Sequence, residues 1–301
     1  MTSPTRRDAL LGAAAGLAGW PAAAAASTAL EGRTIYSESV QLAGGDPSGR
    51  RFVVLRLCQY PEAGLAWLWA AALVDGRFAL FVDNEAPWSG APSVREGADK
   101  AVYAGTARGA KLDFERSGLR ERPTAASARF EGSHGRGRFT VLARFEPATG
   151  FSGLLPGRSE QFGRVRAQVQ IGGRSIEIEG PGQWHEQPQT TPRFVTPFVY
   201  ASLWGQDTFA TLLQSPEGSG GYIIRPTGVT RFDRAGFTPP GPTRTMQASG
   251  PEGTTQMTLD EVRSYRLGVY RETWRGAFVR TTLDGAPMVG FANTFPAGYR
   301  P

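Results

Sequence analysis

The sequence predicts an all-β protein made of two antiparallel β-barrels, or strongly curved sheets, packed together. Three observations carry this expectation. Apolar and polar residues alternate in short runs along most of the chain, and no sustained helical period occurs beyond the N-terminal segment. Its 39 glycines and 22 prolines among 301 residues suit many tight connections. Antiparallel sheets must also hide their edges, and closure into barrels does this most completely.

Thr5, Arg6, Arg7, Asp8, Ala9, Leu10 and Leu11 resemble a twin-arginine export signal. The apolar run Leu10 to Gly19 is too short to span a bilayer, and Ala22 to Ala26 offers a small-residue cleavage site. Residues 1–26 therefore read as a signal peptide, with an uncleaved membrane-anchoring leader as the alternative. This predicts a periplasmic or secreted protein, delivered folded by the twin-arginine translocation machinery. About 275 residues remain, enough for one large β domain or two barrels with separate cores.

Phe52 to Leu57 opens the β series. Leu65 to Leu73 fits a short helix or a fully buried strand. The strand is preferred, because the Asp75–Gly76 turn lets Phe78 to Val82 return antiparallel. Asp83, Asn84 and Glu85 are then expected in a loop with Trp88. Val102 to Ala104 is another short apolar segment. Ala128 and Phe130 face Phe139, Val141, Ala143 and Phe145 across a hairpin about Gly132 to Gly137. Val165, Ala167, Val169 and Ile171 form one strand face, Gly172 and Gly173 turn the chain, and Ile176 and Ile178 resume the alternation against Glu177 and Glu179. Phe198 to Leu203, Thr208 to Leu213, Gly221 to Ile224, Val229 to Phe232, Met257 to Leu259, Tyr265 to Tyr270 and Ala277 to Thr282 continue a meander. Pro188, Pro192 and Pro197 mark Gln187 to Pro197 as the crossing, dividing the mature chain into domains 27–187 and 188–301.

Composition narrows the function. The net charge of +6 is spread over scattered arginines, so no nucleic acid is expected as partner, although weak contact with an anionic membrane surface is compatible with it. The densest group, Arg116, Arg120 and Arg122, reads as a solvated turn. The single cysteine, Cys58, excludes an intramolecular disulfide and lies in an apolar run, as a buried structural thiol does. Two distant histidines and one cysteine argue against a metal cage, so no metal is expected. Neither a phosphate loop nor a Gly-x-Ser-x-Gly elbow is present. His134 lies in a glycine-rich turn and reads as exposed. Asp83, Glu85 and Trp88 have a spacing compatible with a sugar contact but common in loops. Tyr265, Tyr270 and Trp274 read as barrel lining or girdle.

The candidate site is the run Gly180, Pro181, Gly182, Gln183, Trp184, His185, Glu186 and Gln187, where one histidine meets a carboxylate, two amides and an indole. Protonating an apolar alkene needs an acid kept protonated by burial, and Glu186 is the candidate. His185 would orient or deprotonate water. Successive strand residues face opposite ways, so this pairing requires a bend, for which Gly182 and Pro188 are the candidates. Trp184, Tyr200 and Trp204 could face a cationic intermediate. The same residues also fit a buried polar network that merely fixes the angle between two domains.

Over residues 160–235 the chain resembles the lipocalin-like hydratase and cyclase superfamily, which includes bacterial carotenoid 1,2-hydratases and AttH-type secreted proteins. The family pattern Asp-His-x-Trp corresponds to Trp184, His185, Glu186 and Gln187, with His185 retained; Tyr200 and Asp207 are the nearest equivalents of a tyrosine and an aspartate on a following strand. The resemblance implies two lipocalin-like barrels, an apolar cavity near their junction, and hydration without a metal or organic cofactor. The expectation is thus an exported protein acting on an isoprenoid or other hydrophobic small molecule by hydration, cyclisation or isomerisation. His185 and Glu186 would be catalytic, with Gln183, Trp184, Gln187, Tyr200, Trp204 and Asp207 binding the ligand. The alternative is a non-catalytic carrier of such a ligand.

Overall fold

The computed structural model describes residues 30–88, 99–152 and 157–300. The leader, 1–26, lies outside the described residues. The first sheet contains β1 (Ser37–Gly45), β2 (Arg51–Tyr60), β3 (Leu65–Val74), β4 (Arg77–Pro87), β5 (Lys100–Ala107), β6 (Ala110–Leu119), β7 (Arg122–His134), β8 (Gly137–Ser152), β9 (Ser159–Ile171) and β10 (Arg174–Gln189). The second contains β11 (Phe198–Trp204), β12 (Phe209–Ser215), β13 (Gly218–Arg225), β14 (Gly228–Phe232), β15 (Arg234–Phe237), β16 (Thr243–Gly250), β17 (Gly253–Val269), β18 (Glu272–Leu283) and β19 (Ala286–Phe295).

Both sheets are wired alike. Each strand pairs antiparallel with its sequence neighbour, and the first pairs with the last: β1 with β10, and β11 with β19. The free edges in each sheet belong to consecutive strands. A single bridge, Trp88 to Gly105, joins the β4 and β5 side, and only Asp233 separates β14 from β15. The sheets are therefore nearly closed barrels, as the alternation predicted.

Burial explains which strands were easy to read. In β6, β7 and β8 one face fills the barrel and the other meets solvent, so Leu112, Phe130, Val141 and Phe145 alternate with more exposed neighbours. β1 is buried along its whole length, and β2 and β3 nearly so. Their inner faces supply Leu42, Leu55 and Leu68 to the first core. Their outer faces supply Ala43, Phe52, Val54 and Ala71 to an apolar layer shared with the second barrel. In that layer Phe52 stacks on Phe278 with ring centroids 4.8 Å apart, and Phe162 on Phe209 at 5.0 Å. Burying a ring of this kind stabilises by about 1.5 to 3 kcal/mol. The second barrel has its own core about Leu203, Ile223, Met246 and Leu259.

Several local expectations need correction. Asp83, Asn84 and Glu85 lie within β4 rather than in a loop. Asp83 pairs with Arg108 at 2.9 Å, while Asn84 accepts from the Trp69 indole at 2.6 Å and donates to the Gly268 carbonyl at 2.7 Å, linking the barrels. These partners leave no sugar-binding pair of free carboxylates. Arg116 is wholly buried rather than solvated, because it pairs inside the first barrel with Glu186. Cys58 is buried and His134 exposed. The first sheet ends at Gln189 and the second begins at Phe198, so Gln187 and Pro188 both belong to β10.

Candidate functional site

β10 positions the site. It pairs with β1 and β9 without a register shift, from Gly182 through Glu186 on both sides. Gly182 does not bend the strand out of register. It permits close approach, since a methyl there would collide with the Ala43 carbonyl and the Val165 side chain. Strict alternation consequently sends Trp184 and Glu186 into the first barrel and Gln183, His185 and Gln187 outward, toward the second.

This separates the expected catalytic pair. Glu186 Oε1 accepts from Arg116 Nε at 2.6 Å and from the Trp184 indole at 2.9 Å, and Oε2 accepts from the Tyr103 hydroxyl at 2.7 Å. Glu186 is 1 % exposed, and both of its oxygens are engaged by partners inside the first barrel, on the face of β10 opposite His185. Trp184 packs edge-on against Phe114 in the first core. Trp204 donates to Ser202 and packs on Phe291 in the layer between the barrels, and Asp207 is exposed in the turn after β11. None of these four lines the cavity described next.

Register places one outward residue from each of five adjacent strands in a row: Trp69, Arg56, Gln41, His185 and Glu160, from β3, β2, β1, β10 and β9. Against this row lies a cavity of about 510 Å³. Arg56, Gln41, His185, Gln187 and Arg158 form one wall; Tyr200, Leu213, Trp274 and Asn293 come from the second barrel; residues 190–196 of the crossing cover the rest. The volume falls within the roughly 300 to 1,000 Å³ usual for small-molecule sites. Thr190, Thr191 and Val195 are exposed and mark its rim. Phe194 reaches the wall from a left-handed backbone, φ 57°, a conformation that costs a non-glycine residue about 1 kcal/mol or more. Its ring is held by Trp67 at 5.7 Å and Trp274 at 5.3 Å.

Beside the cavity, Glu160 joins the two barrels. Its carboxylate accepts from Arg158 at 2.8 Å, Gln183 at 2.7 Å, Tyr200 at 2.6 Å and Tyr222 at 2.5 Å, the tyrosines coming from β11 and β13. Arg158 also donates to the Tyr200 hydroxyl at 2.6 Å. Burial opposes the Arg158 charge, but Glu160 outweighs it and holds the guanidinium above its usual range. Burial, and then Glu160, raise the Tyr222 phenol well above its ordinary value.

His185 differs from all of these. It is 2 % exposed, yet neither Nδ1 nor Nε2 has a hydrogen-bond partner among the described residues. Burial first, then Arg158, Arg56 and Arg193, hold it well below the usual histidine range, so the imidazole is neutral and can accept at one nitrogen while donating at the other. Of the expected site residues, the structure gathers His185, Gln187 and Tyr200 on the cavity, with Gln183 one step behind on Glu160. Sequence reasoning missed Arg56, Gln41, Arg158, Glu160 and Asn293. One signal was available: extending the hairpin outward from its Gly172–Gly173 turn sets Glu160 opposite His185.

No protein-family model and no curated protein matches the sequence. Among solved structures, the chain is similar to the crystal structure of kievitone hydratase from Nectria haematococca, with a TM-score of 0.53 over 89 % of this chain and 91 % of that one, at 10 % identity. The fold is a lipocalin-like pair of barrels. At such low identity the likeness speaks to architecture alone. Among the described residues no group of three or more His, Cys, Asp or Glu side chains is placed to hold a metal ion.

Proposed function

We propose that the protein binds a hydrophobic small molecule between its barrels and transfers a proton on it through His185, as a cofactor-independent hydratase, cyclase or isomerase. The observation that carries this reading is a buried, neutral imidazole with both nitrogens unpartnered on the wall of a ligand-sized cavity. Buried polar atoms are rarely left unpaired unless a ligand or water completes them. In a hydration, His185 would take a proton from water as the hydroxide adds to one carbon of an activated double bond, then return it to the neighbouring carbon. Tyr200, fixed by Glu160 and Arg158, and Gln187 would position the substrate. This base-first order is favoured over protonation by a carboxylic acid, because among the described residues the only carboxylate on the wall is Glu217, which is exposed.

That lack of an enclosed acid also favours a second reading, a carrier that holds the same ligand unchanged. The twin-arginine-like leader supports a periplasmic or secreted setting for either. The test is incubation of the mature protein with membrane lipid extracts, followed by mass spectrometry of bound and altered molecules. Product that disappears in His185→Gln while ligand is retained is the expected result. Retained ligand with no product from the unmodified protein would establish the carrier, and no retained ligand would refute both readings.

A further inference from the structure

The charge on the cavity wall is one-sided. Arg56, Arg158 and Arg193 line it, against a single carboxylate among the described residues, the exposed Glu217. Arg158 is offset by Glu160. Arg193 is occupied in stitching the crossing to the first barrel, donating to Ser37 Oγ at 2.8 Å and to the Gln187 carbonyl. Arg56 is different. It is 8 % exposed, its one hydrogen bond among the described residues runs from Nε to Ser39 Oγ at 3.2 Å, and no carboxylate there pairs with it. Burial lowers it to about 10, which leaves it cationic at neutral pH. Aromatic rings surround the guanidinium: Trp69 at 5.1 Å, Phe194 at 5.3 Å and Trp274 at 5.9 Å.

Buried charges are normally paired, and ring contacts offset only part of the desolvation of a guanidinium. We propose that the cavity takes an apolar molecule ending in a single carboxylate, which completes Arg56. The inference rests on the reading of this cavity as the ligand site and names what it selects. A guanidinium flanked by rings offers its in-plane donors, and a planar carboxylate matches that fork. Gln41 Nε2, a buried donor with no partner among the described residues, lies beside Arg56 on the same wall, whereas Phe198, Leu213 and Trp274 offer apolar surface for the body of the ligand. Gln41 separates Arg56 from His185 in the row, so two strand spacings, about 10 Å, lie between their backbones. A carboxylate on Arg56 thus brings carbons close to the acid group, where a conjugated double bond is electron-poor, toward His185.

The test compares binding of cis-parinaric acid and its methyl ester to the mature protein near neutral pH, read by energy transfer from tryptophan, Trp274 lying on the cavity wall. The acid should bind about tenfold or more tightly than the ester, as a charge-assisted hydrogen bond implies. Arg56→Gln should remove that preference by weakening the acid alone, and Arg56→Lys should keep part of it. Should neither variant fold, the acid-to-ester ratio of the unmodified protein decides. Equal binding of acid and ester would overturn the carboxylate inference while leaving the ligand site standing. Binding of neither would overturn both.

Discussion

Two buried carboxylates, Glu186 and Glu160, lie on neighbouring strands and are each 1 % exposed, yet they serve different ends. Every Glu186 partner, Arg116, Tyr103 and Trp184, belongs to the first barrel and sits inside it. Glu160 faces outward and takes two of its donors, Tyr200 and Tyr222, from the second barrel beside the cavity. The first carboxylate braces one barrel, and the second ties two barrels together beside the cavity. Polarity and burial alone do not tell the two apart; the face of the strand does.

Glu186→Ala should break this comparison most severely. It strands Arg116, which has no solvent exposure, and losing one partner of such a pair costs about 3 to 5 kcal/mol. Chemical denaturation should show that loss, while ligand affinity in the surviving folded protein stays within a few fold. Tyr222→Phe should do less to stability and more to binding. It removes one hydrogen bond to a charged group, about 1.5 to 3 kcal/mol, and loosens the barrel junction, so ligand affinity should fall with it. A Tyr222→Phe protein with unaltered affinity would uncouple Glu160 from the cavity.

The smallest expected effect is a pH dependence. Because His185 is held below its unfolded value of about 6.5, its contribution to stability is complete above that pH and is lost as pH falls toward its folded value. Glu38 acts with the opposite sign: burial holds it above the usual carboxylate range, so its contribution is present at low pH and lost as pH rises. The difference between wild type and His185→Gln isolates the histidine. It should shift against wild type as pH falls from about 6.5 to 5. A difference that stays flat would mean that His185 is protonated or solvated in the folded state.

Alternation made β7 to β10 legible, because one face of each meets water over most of its length. It left Leu65 to Leu73 ambiguous for an equally physical reason: β3 is covered by a core on one side and by the second barrel on the other, so its sequence has no polar face. The same logic applied to the candidate site. His185 stood out as a histidine, but its separation from Glu186 follows from a strand that keeps its register through Gly182, which a glycine-rich run disguises. Arg56 and Arg116 read from sequence as ordinary charges because their partners are remote in the chain. Only barrel closure brings Arg116 across to Glu186 and encloses Arg56 in rings from β3, the crossing and β18.

The apolar layer holding Phe52, Phe162, Phe209 and Phe278 has an implication for the chain as a whole. Neither half owns a finished surface: severed within 190–197, each would carry an oily flank. The lone linker therefore serves cohesion less than efficiency, keeping mutually adhesive pieces at a local concentration where they find one another before they find strangers.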